Sequence, residues 1–247
     1  MKNSVCLITF NPTEKLEYLH FLNSFDNFDI YVIIDDNSIN YDNLKDIFNK
    51  ISFIQIEDDI CLQSGYINIS YITLKKLVSG WDKAIYYFTT QKTDYLNVWF
   101  FEDDVYFYSE MSILKIDDKY NEQDILCNSS YDEAKLDEWL WKYIEIDFEP
   151  PYFCGMMCAL RLSKKYLHAI SCYVKKNKTM FFLEAFFPTL AKKYKLKYIE
   201  NPAEFITITH RDHIPNTIAL KKNYLYHPVK DLKKHSFFRN ADADAEI

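Results

Sequence analysis

Glu102, Asp103 and Asp104 stand side by side at the end of the apolar run "NVWFF" (97–101). Adjacent carboxylates repel one another and lose hydration when drawn toward a core, and a bound divalent cation relieves both costs. Side chains alternate along an extended chain, so Glu102 and Asp104 face one way and Asp103 the other. That D-x-D-type spacing lets Glu102 and Asp104 approach one metal ion together. Oxygen ligands with no His or Cys beside them in the chain favour Mg²⁺ or Mn²⁺ over zinc. Two further acidic pairs close apolar runs, Asp35-Asp36 in "YVIIDDNS" and Asp58-Asp59 in "ISFIQIEDD". One such pair is commonplace as a turn or helix cap; three at parallel strand ends would gather on one rim. Glu184 is a lone acid between Phe181-Phe182-Leu183 and Ala185-Phe186-Phe187. Desolvation there would raise its pKa toward neutrality, which suits a general base, although an acid on the polar edge of an amphipathic helix reads the same way.

The elements that must position these groups are legible as apolar runs. Strands are expected at 4–10, 29–38, 51–59 and near 97–101, too uniformly apolar to alternate, with helical stripes between them. Such an α/β order implies a mostly parallel sheet covered by helices on both faces, with ligands outside the carboxyl ends of its strands. Asn11, Pro12 and Glu14 form an N-terminal helix signal before the stripe Leu16, Leu19, Leu22 and Phe25. A helix over 64–78 would end at Gly80 in the C′ position, and a shorter one would begin at Trp81. Gly155, amid bulky residues, marks a close backbone approach. Ser163 caps a helix with the stripe Leu167, Ile170 and Val174. Pro188 implies a bend or a helix start. One domain over 1–230 is expected, with halves at about 1–107 and 108–230. Residues 231–247, closing in "NADADAEI", are expected to form a tail outside the fold, partly disordered.

The 247 residues include 49% hydrophobic and 17% aromatic side chains, enough for a substantial core. A net charge of −7, with only three arginines (Arg161, Arg211, Arg239), argues against a nucleic-acid binder. No apolar run reaches the ~18 residues of a membrane span, and "MKNSVCLITF" lacks the marks of a signal peptide, so a cytoplasmic protein is expected. Six scattered cysteines read as free thiols. Cys154/Cys158 and His210/His213 lack the spacing of a structural zinc module.

The order "SVCLITFN", "YVIIDDNS" and "VWFFEDDV" resembles the nucleotide-sugar-dependent glycosyltransferases of the GT-A fold, over about residues 4–230. The resemblance implies a single-domain α/β, Rossmann-like fold, a nucleotide-sugar donor (a uridine nucleotide by default), a carbohydrate or glycoconjugate acceptor, and Mn²⁺ or Mg²⁺. It places Asp36, with Asp35 as the alternative, near the base or ribose, and Asp58 or Asp59 beside the nucleoside. Asp104 would bind the metal, Glu102 the ribose or the metal shell, and Asp103 would lie near the donor sugar. In similar inverting enzymes an acid at the place of Glu184 deprotonates the acceptor, with Asp103 next in line. A late His, here His227, completes the metal shell in many of them, and a nearby Lys, here Lys230, meets the diphosphate; "THRDH" (209–213) competes for the latter role. Trp139 and Trp141 could stack on an acceptor sugar. No Gly-rich loop follows the first strand, which argues against nucleotidyltransferases. The alternatives are a metal-dependent phosphotransferase or phosphohydrolase on the same acids, and a non-catalytic carbohydrate-binding domain.

Overall fold

A computed structural model describes residues 2–68, 78–134, 149–208 and 220–241. A six-stranded sheet forms the frame, in the order β3-β2-β1-β4-β7-β6. Its strands are β1 (Asn3–Thr9), β2 (Phe28–Ile34), β3 (Ile51–Gln55), β4 (Asn97–Glu102), β6 (Ile125–Ala134) and β7 (Tyr152–Ser163). The first four run parallel, and β7 pairs antiparallel with both β4 and β6. The mostly parallel, mixed sheet expected from the apolar runs is therefore present.

Strand alternation sends successive side chains into two different cores. Val5, Leu7, Val32, Ile34, Trp99 and Phe101 enter one face, and Cys6, Ile8, Tyr31, Ile33, Val98 and Phe100 the other. Each fully buried aliphatic or aromatic side chain contributes roughly 1.5–3 kcal/mol, so neither face can be left open to water. The first face is covered by α1 (Leu16–Asn23) and α5 (Glu110–Lys119), the second by α4 (Gly80–Thr90), α6 (Lys164–Asn177) and α7 (Leu183–Lys193). Short helices α2 (Leu44–Ile47) and α3 (Asp58–Ser64) flank β3. A second sheet, β5-β9-β8, joins β5 (Tyr106–Phe107), β9 (Leu225–His227) and β8 (Phe205–Thr207).

Several local expectations hold. Asn11 accepts a hydrogen bond from the Thr13 amide at the start of a 3₁₀ turn, Pro12–Lys15. Ser163 Oγ accepts from the Tyr166 amide at the head of α6. A Cβ on Gly155 would lie 2.7 Å from the Ser129 Cβ.

Others are corrected. The third strand stops at Gln55, and Asp58 and Asp59 form the first turn of α3, where the helix dipole favours carboxylates. That helix ends with Gly65 at φ 80°, a left-handed turn that suits glycine, and residues 69–77 of the helix expected at 64–78 lie outside the described residues. Gly80 is not a C-terminal cap. It opens α4 behind a capping box of Ser79 and Asp82, where a Cβ would meet Ile8 at 2.7 Å and Asp35 at 3.3 Å. Pro188 lies inside α7 rather than at its start.

The expected tail is a folded element through Ala241. Helix α8 (Leu232–Ala241) buries His235 and Phe238, sets Arg239 3.5 Å over the Phe21 ring, and bonds Ser236 to Glu17. Its anchors are single aromatic and basic residues in a lysine-rich stretch, which periodicity does not reveal.

Candidate active site

At the carboxyl end of β4 the chain turns sharply, the Val105 amide donating to the Glu102 carbonyl at 3.1 Å. The turn is pinned from two sides: Tyr18 Oη donates to the Val105 carbonyl at 2.8 Å, and the Val229 amide to the Asp104 carbonyl at 2.7 Å. The expected division of the three acids follows. Asp103 turns toward β1, accepting from Thr9 Oγ1 at 2.6 Å and pairing with Lys15 at 3.2 Å. Glu102 and Asp104 turn to the opposite side. There Trp81 Nε1 donates to Glu102 Oε1 at 2.9 Å.

His227 arrives by sheet pairing. Tyr106 pairs antiparallel with Tyr226, which sets His227 across from Val105 and beside Asp104. Its Nε2 lies 3.2 Å from Asp104 Oδ1 and 3.8 Å from Glu102 Oε2. Helix α8 supports this placement, because the His235 ring hydrogen-bonds the Val229 carbonyl at 2.8 Å while the Val229 amide holds Asp104. Burial drives His235 down to about 4, so it stays neutral at pH 7.

The electrostatics of the two carboxylates diverge. Lost hydration, with the neighbouring Asp104 charge, pushes Glu102 up against the pull of Trp81 and His227. Burial pushes Asp104 up as well, but His227, Lys230 and Lys15 together outweigh it and hold Asp104 low. Asp104 Oδ1 and His227 Nδ1 are buried with no hydrogen bond among the described residues. A cation between Glu102, Asp104 and His227 would satisfy that buried carboxylate oxygen and relieve the repulsion, so the donor set fits a divalent metal. It is not the oxygen-only set expected from the local sequence. An imidazole joins it, and among the described residues the donors that all lie within 4.8 Å of one another are Glu102, His227 and the Cys158 thiol on β7, with Asp104 reached through His227 at 3.2 Å.

Glu184, in the first turn of α7, is half-buried beside this centre. Desolvation and the Glu102 charge raise it to about 7. Trp81 links the parts, since its ring also packs on Phe187 of α7 at 6.4 Å.

The other acids are occupied differently. Lys83, fully buried on α4, donates to the Asp35 carbonyl at 2.7 Å and pairs with Asp35 at 3.3 Å and Asp58 at 2.8 Å. Asp36 accepts from the amide and hydroxyl of Ser38 and from Tyr41 Oη. Asp35, Asp36 and Asp58, with Phe10, Asn37, Glu57 and the exposed Asp59, line an open cleft of about 370 Å³. Lys230 lines another cleft with Lys15, within electrostatic reach of Asp104.

The sequence reading missed Trp81, Lys83, Lys15, Thr9 and Cys158. None carries a local motif, because each acts through a contact made only in the fold. Trp139, Trp141 and residues 209–213 lie outside the described residues.

No family model matches the sequence, and no curated protein matches it. Solved structures do. A galactosyltransferase, LgtC, in complex with donor and acceptor sugar analogs aligns over 96% of this chain and 95% of its own, at 10% identity and a TM-score of 0.53. An active-site mutant of LgtC aligns over 97% and 95%, at 10% identity and 0.51. Mouse xyloside xylosyltransferase 1, in its apo form, aligns over 92% and 97%, at 9% identity and 0.50. At this identity the likeness carries the architecture: the chain has the α/β fold of the GT-A glycosyltransferases.

Proposed function

We propose that the protein is a glycosyltransferase that moves a sugar from a nucleoside diphosphate sugar, a uridine donor first, to a hydroxyl of a carbohydrate or glycoconjugate acceptor. The observation that carries this reading is the approach of Glu102 and Asp104 to one imidazole at the ligand end of β4, His227 Nε2 lying 3.2 Å from Asp104 Oδ1 and 3.8 Å from Glu102 Oε2. Mn²⁺ or Mg²⁺ held by these three residues would neutralise the diphosphate and stabilise it as a leaving group.

The chain's own groups divide the remaining work. Trp81 fixes the orientation of Glu102. The acid-lined cleft at Asp35, Asp36, Asp58 and Asp59 suits the hydroxyl-rich, uncharged nucleoside and repels the diphosphate. Lys230, within electrostatic reach of Asp104, would meet the diphosphate instead. Asp103, held by Thr9 and Lys15, follows Glu102 in the chain and would lie near the donor sugar. Glu184, raised to about 7, would take the acceptor hydroxyl proton as the glycosidic bond breaks, the role a base has in an inverting transfer.

A thermal-shift panel of UDP-, GDP-, CMP- and dTDP-sugars, with and without Mn²⁺, tests the reading, because a ligand that binds only the native state raises its stability. A metal-dependent shift with one nucleotide supports it. Release of phosphate without an acceptor would favour a phosphohydrolase on the same acids, and glycan binding indifferent to metal and nucleotide a carbohydrate-binding domain.

A further inference from the structure

Cys158 is a donor at this centre that the proposed chemistry does not use. It lies on β7 one residue before Ala159, which pairs antiparallel with Phe101, so it sits across from Glu102. Its sulfur, a Glu102 carboxylate oxygen and a His227 ring nitrogen all lie within 4.8 Å of one another. Asp104 adjoins the same group through His227 at 3.2 Å. Three strands from two sheets thus bring a thiol, an imidazole and a carboxylate to one point, a set not limited to hard cations.

Hard Mg²⁺ and Mn²⁺ gain little from sulfur, whereas Zn²⁺, Cd²⁺ and Co²⁺ bind thiolate and imidazole strongly. We propose that Cys158 is a latent ligand: a thiophilic divalent cation is captured by Cys158, His227 and Glu102 and displaces Mn²⁺ or Mg²⁺ from the ligands they share. This inference rests on the reading of the centre as a cation site. As the cation binds, the S–H bond breaks, the proton leaves to solvent, and the thiolate lone pair forms the sulfur–metal bond, with no change of oxidation state. A zinc-type ion held by the thiolate and imidazole takes Glu102 and His227 away from Mn²⁺ or Mg²⁺, which bind them more weakly. With Mn²⁺ or Mg²⁺ the thiol stays protonated against Glu102, and positions for the donor remain open.

The test is a Co²⁺ titration of the metal-free full-length protein followed by absorbance, beside Mn²⁺ binding followed by electron paramagnetic resonance. Co²⁺ is expected to give a near-ultraviolet sulfur-to-cobalt charge-transfer band that Cys158→Ser abolishes, while Mn²⁺ binding is unchanged. Cys172→Ser, which removes the exposed thiol 3.5 Å from His168, is expected to keep the band. The Zn²⁺ concentration that displaces Mn²⁺ should rise at least about tenfold in Cys158→Ser. Matched melting curves for Cys158→Ser and Cys158→Ala exclude misfolding as the cause. Co²⁺ binding without the band, a band lost with Cys172 instead, or unchanged Zn²⁺ displacement would overturn the inference and leave the Mn²⁺ site standing. Binding of neither Mn²⁺ nor Co²⁺ would overturn both.

Discussion

The acids beyond β2 and β3 and the acids at the end of β4 look alike in sequence and are solved in opposite ways. The first group is neutralised from within: Lys83 reaches out of the core to Asp35 and Asp58, and Ser38 and Tyr41 cap Asp36. The second group is left incomplete. Glu102 and Asp104 face one imidazole, 3.8 and 3.2 Å away, where the other rim has a buried lysine. A fold that discharges one acidic rim with a buried lysine could have discharged the other likewise. Leaving the β4 end unsatisfied costs stability, which a bound cation would return.

Substitutions at the two ends should therefore fail differently. The largest effect is expected from Asp104→Ala, which should cut glycosyl transfer by at least about 10³-fold while the melting temperature of the metal-free protein hardly changes, read by turnover and calorimetry in parallel. Lys83→Met should reverse that pattern. It strands Asp35 and Asp58 and should cost about 3 kcal/mol in chemical denaturation, the low end for a broken buried pair because Asp58 is 44% exposed. Glu184→Gln should lower turnover by about 10²-fold with donor binding retained. Its pH profiles give a second readout. Wild-type turnover should rise as Glu184 loses its proton near pH 7, and the variant should lose that limb. The stability sign is opposite. The native state holds this proton more tightly than the unfolded chain, so the contribution is full below about pH 4.5 and lost as pH rises through about 7. Denaturation midpoints of Glu184→Gln should fall less between pH 5 and pH 8 than those of the wild type. The smallest effect is expected from Asp36→Ala, about 1 kcal/mol from the lost turn contacts to Ser38, with Mn²⁺ binding untouched.

The sheet was legible because buried parallel strands are written as unbroken apolar runs; the separation of Asp103 from Glu102 and Asp104 was expected from strand alternation but arises in the turn after β4, which ends at Glu102. The chemistry of the centre was legible only in part. Counting donors along the chain around Glu102 yields oxygen alone, whereas the imidazole and the thiol arrive from β9 and β7, through pairings that no local pattern encodes. His227 was reached only through a family resemblance. Lys83 could not be found as the partner of Asp35, since a lysine on a helix ordinarily faces water and nothing in "GWDKAI" marks this one as buried. Helix α8 was hidden for a related reason: its lysines read as a solvated tail, while His235, Phe238 and Arg239 do the docking.

The most direct measurement counts Mn²⁺ on the metal-free protein by electron paramagnetic resonance, comparing wild type with Asp104→Ala and His227→Ala on one side and Asp36→Ala on the other. One bound Mn²⁺ per chain, lost in the first two variants and kept in the third, is the result expected if the β4 end awaits a cation and the neighbouring rim does not. Mn²⁺ binding that survives loss of Asp104 and His227, or that disappears with Asp36, would contradict it.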